Sequence, residues 1–259
     1  MSAEPPVGVD ANGYVVTVGA APVQPEFEPL LADVLATLSQ PAFGLDGIYL
    51  YGSVARGDAS AEASDLDLTL VLSDPPQAAV LEQLERARLA LEQRHPCVTK
   101  VDFDIGHRAQ VLAPQNHNRW GFWLKHHCRC LWGDDLGLRF EPFRPSRDIA
   151  LALNDDFVQV LTRYRTDIVQ AANTPHRLRL QREAARKLIR STHTLRSAEA
   201  TMWPQTLEEH VALFRQRYPT MITQIAYFLF EARNPGAERE AFLLRLDAFV
   251  DWMASQPNP

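Results

Sequence analysis

The sequence predicts an α+β fold in which a small mixed sheet flanked by helices is followed by an all-α helical bundle. Strand-like apolar runs separated by turn residues occupy the first half of the 259-residue chain. From Ser146 onward, apolar residues recur at helical spacing, and prolines interrupt the pattern. We therefore expect two domains, with the sheet in residues 1–144 and the bundle in residues 145–259.

The chain begins with a predicted hairpin arm and a helix, both assigned to the first domain. Asn12-Gly13 lies between short apolar runs and has the composition of a tight hairpin turn. Residues 25–39 then place apolar side chains at helical spacing, and this helix is expected to end before Pro41.

Residues 48–72 predict a strand, a Gly-Ser turn into a short helix, a polar loop and a second strand. The second strand carries Asp65 and Asp67, which lie on one face because side chains alternate along a strand. Two carboxylates on an otherwise apolar strand repel each other and lose hydration, and a divalent cation with oxygen ligands offsets both costs. Gly52 lets a ligand approach the backbone, and Ser53 stands where free helical N–H groups attract phosphate. The stretch therefore predicts chemistry on a Mg²⁺-bound nucleotide.

A third carboxylate is expected on the next strand. Residues 75–94 form a predicted amphipathic helix, and residues 98–105 form a strand on which Asp102 and Asp104 share one face. Either acid is available to complete a metal site or to act as a general base.

The rest of the first domain predicts a helix, a short strand and a linker. Residues 114–127 form the helix, whose Trp120, Phe122 and Trp123 are expected mainly in the core, although a nucleotide base can stack on either tryptophan. The strand covers residues 128–132, and a proline-containing linker covers residues 139–147.

Five helices are predicted in the second domain, over residues 147–172, 176–200, 206–216, 218–233 and 237–254. The second of them carries a row of arginines at steps of three and four, namely Arg179, Arg182, Arg186 and Arg190. Two interpretations stay open for this basic stripe. It is a solvated helix face, or Arg186, Lys187 or Arg190 binds the triphosphate or pyrophosphate.

Gly52-Ser53, followed after eleven residues by Asp65-Leu66-Asp67, resembles the signature of the polymerase-beta-type nucleotidyltransferase superfamily. The fuller run from Gly52 to Asp58 is similar to that of the small bacterial members, the minimal and the aminoglycoside nucleotidyltransferases. The resemblance implies the nucleotidyltransferase fold for the first domain and a Mg²⁺-dependent transfer reaction.

The resemblance also implies site residues. Asp65 and Asp67 would be catalytic metal ligands, and the third acid lies in a hydrophobic–acid–hydrophobic run on a later strand. Both Asp102 and Asp104 match that run, and the resemblance to the minimal members favours Asp102. The residues expected to contact the nucleotide are Gly52, Ser53, Arg56, Ser64, Lys187 and Arg190. A salt bridge of Arg56 with Asp58 or Glu62 is the alternative.

The layout resembles that of enzymes that move a nucleoside monophosphate, most often AMP from ATP, onto a hydroxyl of a small acceptor. Residues 1–145 carry 11 Lys and Arg against 19 Asp and Glu, and this acidic half suits a cationic acceptor such as an aminoglycoside. The alternatives are a protein or tRNA target in a toxin–antitoxin-like system, in which nucleic acid would be the partner, and a binding module without catalysis.

Cysteine content and hydropathy bear on the compartment. The three cysteines form no disulfide framework, and the spacing of Cys128 and Cys130 does not match a structural zinc site. The first residues show neither a basic segment nor an apolar core, and no apolar run reaches membrane length. We expect a cytoplasmic protein with no membrane partner, whose oligomeric state the sequence leaves open.

Overall fold

The computed structural model describes residues 7–19 and 22–256. It divides into two compact units, one from Val16 to Phe143 and one that joins the residues up to Val15 to the chain from Arg144 onward. The predicted boundary near residue 144 coincides with the second junction. The predicted hairpin arm, in contrast, belongs to the helical unit.

Contacts of the arm explain this difference from the predicted domains. Val9 and Val15 form an antiparallel bridge around the turn, in which Gly13 has a positive φ of 78°. The backbone N–H of Trp203 donates to the carbonyl of Val7 over 2.9 Å. The arm is thus hydrogen-bonded to a segment almost two hundred residues away, and local sequence patterns do not record such a contact.

The first unit contains a four-stranded mixed sheet. Its strands are β1 (Leu45–Tyr51), β2 (Leu66–Leu72), β3 (Val101–His107) and β4 (Arg129–Gly133), in the spatial order β3-β2-β1-β4. β1 pairs antiparallel with β2 and β4, whereas β2 and β3 are parallel. The predicted mixed sheet is confirmed.

Five α-helices are described in the same unit: α1 (Glu28–Leu38), α2 (Gly52–Arg56), α3 (Ala78–Arg94), α4 (Arg108–Val111) and α5 (Phe122–His126). The helix predicted over residues 114–127 is helical throughout Pro114–His126, but its type changes along the chain: a 3₁₀ turn at Pro114–Asn116 and a π-helical turn at His117–Gly121 precede α5. Gly121 lies at the change from π-helix to α-helix, where a Cβ atom would approach the Phe140 ring to 2.8 Å. The glycine lets the ring pack on the backbone and favours the helix less than other residues would.

Side chains of β2 alternate between two cores. Leu66, Leu68 and Leu70 pack in a large cluster with α1 and α3. On the other face, Val71 joins Tyr49, Val111 of α4 and Leu124 of α5 in a smaller cluster. This second face also carries Asp67 and Thr69, because they share the parity of Val71. The polar site thus lies on the sheet face with the smaller apolar cover.

The second unit is helical and contains α6 (Arg147–Asn154), α7 (Phe157–Gln170), α8 (Thr174–Ser191), α9 (Leu207–Arg217), α10 (Ile222–Arg233) and α11 (Arg239–Ser255) among the described residues. Its core draws on α7 to α11. The predicted helix over residues 147–172 is two helices, because Asp155 and Asp156 favour local turns over helix interior. The predicted helix to residue 200 ends at Ser191, and a 3₁₀ turn follows.

Within the described part of the chain, no helix combines the length and the apolar character needed to cross a membrane.

Candidate active site

The register of the two parallel strands brings two acids side by side. Asp67 of β2 is the register partner of Asp102 of β3, and its partner on the other side is Tyr51 of β1. Adjacent strands lie about 4.8 Å apart, and register partners project from the same face. Asp67 therefore stands between Tyr51 and Asp102 on one surface of the sheet.

Gly52 leaves the space that the Asp67 carboxylate occupies. The residue has φ of +75°, and a Cβ atom placed on it would lie 2.1 Å from Oδ2 of Asp67. No other residue type fits here without displacing that carboxylate. The close approach of Asp67, fifteen residues later in the sequence, therefore explains why position 52 is a glycine.

The segment before β3 supplies partners to two of the acids. The Thr99 hydroxyl donates a hydrogen bond to Oδ1 of Asp65, and Nζ of Lys100 lies 2.5 Å from Oδ1 of Asp102. Sequence reasoning missed both residues. One sequence feature could have indicated them: Thr99-Lys100 is a polar pair between two valines, directly before the strand that carries Asp102.

Asp104 lies farther along the same face. Its register partner is Thr69, and the Tyr51 hydroxyl makes a long contact of 3.5 Å with its Oδ2. Desolvation by the surrounding protein raises the pKa of Asp104, Asp102 adds to the rise, and Arg119 and the Tyr51 hydroxyl oppose it. Because the side chain keeps contact with solvent, the effect on its pKa is smaller than full burial would produce.

Aromatic side chains support this part of the site. The indole Nε1 of Trp123 donates to the Thr69 hydroxyl over 3.1 Å, and its ring meets the Tyr51 ring edge to face at 4.9 Å. A Cβ atom on Gly106 would come within 2.8 Å of the Trp120 ring. Trp120 and Trp123 are half-buried, so they pack against the site face and still present ring surface.

Comparison with known proteins identifies the family. The family model of the nucleotidyltransferase domain matches residues 31–189, which is more than half of the chain. The chain belongs to the nucleotidyltransferase family. The expectation of a polymerase-beta-type nucleotidyltransferase and of an enzyme is therefore confirmed.

Among solved structures, the nucleotidyltransferase is similar to a spectinomycin adenyltransferase from Enterococcus faecialis, determined with ATP and spectinomycin. The TM-score is 0.59 at 15% identity, and the match covers 88% of this chain and 99% of the other. At this identity the likeness shows the fold. No curated protein matches the sequence.

The three predicted metal ligands of the nucleotidyltransferase fit Mg²⁺ by chemistry and by backbone position. Asp65, Asp67 and Asp102 offer the oxygen donors that Mg²⁺ prefers, and β2 and β3 hold the last two side by side. In the described residues, however, no three His, Cys, Asp or Glu side chains are gathered as for a metal. Oδ1 of Asp65 and Oδ1 of Asp102 contact Thr99 and Lys100, so a metal would compete with these partners or bind the second oxygen of each carboxylate.

Two of the predicted nucleotide contacts in the first unit have protein partners. Nε and Nη2 of Arg56 each lie 3.2 Å from an Asp58 carboxylate oxygen, which is the salt bridge named as the alternative. The hydroxyl of Ser64 accepts a hydrogen bond from the N–H of Ser60 over 2.9 Å. The assignment of Arg56 and Ser64 to the nucleotide stays a prediction.

Lys187 and Arg190 lie on α8 of the helical unit. Nζ of Lys187 contacts Oδ1 of Asp156 at 2.8 Å, and Arg190 is exposed. In the basic stripe, Arg182 and Arg186 lie 3.5 and 3.7 Å from Glu183 on the same helix. The side chains of Arg182 and Arg186 are only 22% and 26% exposed, so this part of the stripe is not a freely solvated face. Nucleotide binding by the stripe stays a prediction.

Proposed function

We propose that this nucleotidyltransferase moves AMP from ATP onto a hydroxyl of a small cationic acceptor and uses Mg²⁺. The observation that carries the proposal is the adjacency of Asp67 and Asp102 on neighbouring strands, beside the bare Cα of Gly52. Acids so placed suit a reaction in which phosphate charge is neutralised and a hydroxyl loses its proton.

Each residue has a role in this proposal. Asp65, Asp67 and Asp102 hold Mg²⁺, which when bound neutralises phosphate charge and lowers the pKa of the attacking hydroxyl. The Gly-Ser turn at Gly52 and Ser53 meets the triphosphate next to Asp67. The acceptor oxygen bonds to the α-phosphorus, the bond from that phosphorus to the pyrophosphate oxygen breaks, and Asp102 takes the hydroxyl proton.

The choice of ATP and of a cationic acceptor rests on two supports. The similar fold of the spectinomycin adenyltransferase was determined with ATP and spectinomycin bound. In addition, residues 1–145 of this chain have a net charge of −8, from 11 basic and 19 acidic residues. An acidic surface attracts a cationic acceptor and disfavours general binding of nucleic acid.

The test is transfer of label from ATP carrying ³²P at the α-phosphorus. The protein is incubated with Mg²⁺ and, separately, with spectinomycin, a panel of aminoglycosides, tRNA and a protein mixture. We expect label on a small cationic acceptor, loss of transfer when EDTA removes the metal, and slower transfer from labelled GTP, CTP or UTP. Label on tRNA or protein alone would contradict the proposed acceptor class.

A further inference from the structure

Lys100 is placed to influence the acid that the proposed reaction uses. Its ammonium lies 2.5 Å from Oδ1 of Asp102, and the two side chains are 40% and 38% exposed. Lys100 directly precedes β3 and is two residues from Asp102, so both side chains leave the same side of the extended chain. A protein cation therefore contacts one of the two carboxylate oxygens of a residue that the proposed function assigns to the metal.

The neighbouring acid is engaged in a similar way. The Thr99 hydroxyl donates to Asp65, so two consecutive residues contact two of the three predicted ligands. A compact ammonium on a flexible stem interacts with a carboxylate as a point charge, and a bound divalent cation repels it. Binding of Lys100 and binding of Mg²⁺ at Asp102 therefore oppose each other.

We propose that Lys100 is a positioning residue that competes with Mg²⁺ for Asp102 until the nucleotide binds. This inference rests on the proposed function, because it assigns Asp102 to the metal. In the nucleotide-free enzyme the ammonium holds Asp102 and weakens binding of the free metal. The bound triphosphate offers the displaced ammonium a new anionic partner, so metal and nucleotide bind cooperatively.

The expected effect of Lys100 on metal affinity follows from the solvent exposure of the Lys100–Asp102 pair. An ion pair with about two-fifths of each side chain in solvent is worth at most the upper range for surface pairs, which is a factor of about five in an equilibrium constant. Competition of this size weakens metal binding but still permits the metal to displace Lys100.

The experiment measures Mn²⁺ affinity by isothermal titration calorimetry, with no nucleotide present. Lys100→Met should bind Mn²⁺ about fivefold more tightly than the wild type. Lys100→Arg keeps the charge and should bind Mn²⁺ no more tightly than the wild type, because a guanidinium also pairs with a carboxylate. Arg86→Met removes one positive charge from an exposed position of α3 and controls for net charge.

A second arm adds a non-hydrolysable ATP analogue. The difference in Mn²⁺ affinity between the wild type and Lys100→Met should then fall to less than about twofold. Equal affinities of these two proteins without nucleotide would overturn the competition, and an unchanged difference with the analogue would overturn the release by nucleotide.

Mn²⁺ binding by Asp102→Asn distinguishes an error in the role of Lys100 from an error in the metal assignment of the proposed function. If Asp102→Asn weakens Mn²⁺ binding while Lys100→Met leaves it unchanged, the metal assignment stands and the role of Lys100 is wrong. If Asp102→Asn leaves Mn²⁺ binding unchanged, both are wrong. Circular dichroism melts of each variant show whether a change in affinity reflects loss of the fold.

Discussion

Asp102 is the register partner of Asp67 across β2 and β3, whereas Asp104 is the register partner of Thr69. Both acids fit the sequence pattern of a third carboxylate, and both project from one face of β3. The register favours Asp102, since it is the acid beside Asp67. Asp104 instead contacts the Tyr51 hydroxyl at 3.5 Å.

Replacement of either acid by asparagine should separate their roles. Asp102→Asn should lower the rate of nucleotidyl transfer by at least about 10²-fold, because it removes the carboxylate that accepts the hydroxyl proton. Asp104→Asn should lower the rate by less than about tenfold, below the usual contribution of a catalytic acid or base. The initial rates of label transfer at saturating ATP measure both. The reverse ranking would assign the third acid to Asp104.

Gly52→Ala should reduce transfer because the new methyl group would lie 2.1 Å from the Asp67 carboxylate. We expect a loss of at least about 10²-fold and a fall in the free energy of unfolding of about 1–3 kcal/mol. Gly57→Ala is the matched control. Gly57 has φ of +76°, and only the carbonyl of Pro22, 4.0 Å away, is near its Cβ position.

Gly57→Ala should lose stability because alanine disfavours a positive φ, as at position 52, but it should keep its transfer activity. Transfer assays and urea denaturation of both variants test this. Equal losses of activity in the two would mean that backbone strain, and not the contact with Asp67, explains the glycine at position 52.

The local sequence pattern was sufficient to predict the sheet and the family, whereas the role of the acids stays a prediction. Strand alternation gave Asp65 and Asp67 one face, and their spacing from Gly52 pointed to the reaction. The partners of these acids were not predictable, because Thr99 and Lys100 reach them only through the pairing of β2 with β3. Register depends on the packing of whole strands, and a single segment does not specify it.

Asp33 should make stability depend on pH. Its Oδ2 lies 2.9 Å from Nε of Arg94 and 2.7 Å from Nε2 of His95, and these partners lower the pKa of Asp33 to about 2. A carboxyl whose pKa is lower in the folded state stabilises the fold above its unfolded pKa near 4, and loses this contribution as the pH falls toward 2.

Asp33→Asn should therefore lower the free energy of unfolding by about 1–2 kcal/mol at pH 7, after allowance for solvent screening. The difference from the wild type should shrink between pH 4 and pH 2. Urea denaturation across this range measures it, with the exposed Asp74→Asn as a control. A difference that stays constant down to pH 2 would show that the ion pairs do not cause it.

Tyr49→Phe should destabilise the first unit through one hydrogen-bonded hydroxyl. The fully buried Tyr49 donates to the carbonyl of Asp134 over 2.6 Å and accepts from the N–H of Leu136 over 3.0 Å. Loss of the hydroxyl removes both bonds, although the N–H of Leu136 still donates to the carbonyl of Asp134 over 3.0 Å. We therefore expect the free energy of unfolding to fall by about 0.5–1.5 kcal/mol.

Tyr51→Phe removes a hydroxyl whose contact is 3.5 Å long, so it should cost less. Urea denaturation compares the two variants. If both variants lose the same stability, the bonds to Asp134 and Leu136 are not the reason for the buried tyrosine.

Two other features of the fold could not be predicted from the local sequence pattern, for a similar reason. The arm at Val7 to Val15 is held by Trp203, and the π-helical turn before α5 accompanies the packing of Phe140 on Gly121. Both depend on residues distant in sequence or on the fit of one ring. Helices with regular apolar spacing, such as α3 and α11, were predictable because the periodicity of apolar residues identifies the buried face of each helix.

The central claim is that the acids around Asp67 carry out metal-dependent nucleotidyl transfer, and Asp67→Asn tests it most directly. The measurement is the single-turnover rate at which label passes from the α-phosphorus of ATP to the acceptor found for the wild type. The variant removes one charge and almost no volume, so it should fold as the wild type does. We expect the rate to fall by about 10³-fold or more. A variant that folds and transfers at the wild-type rate would contradict the claim.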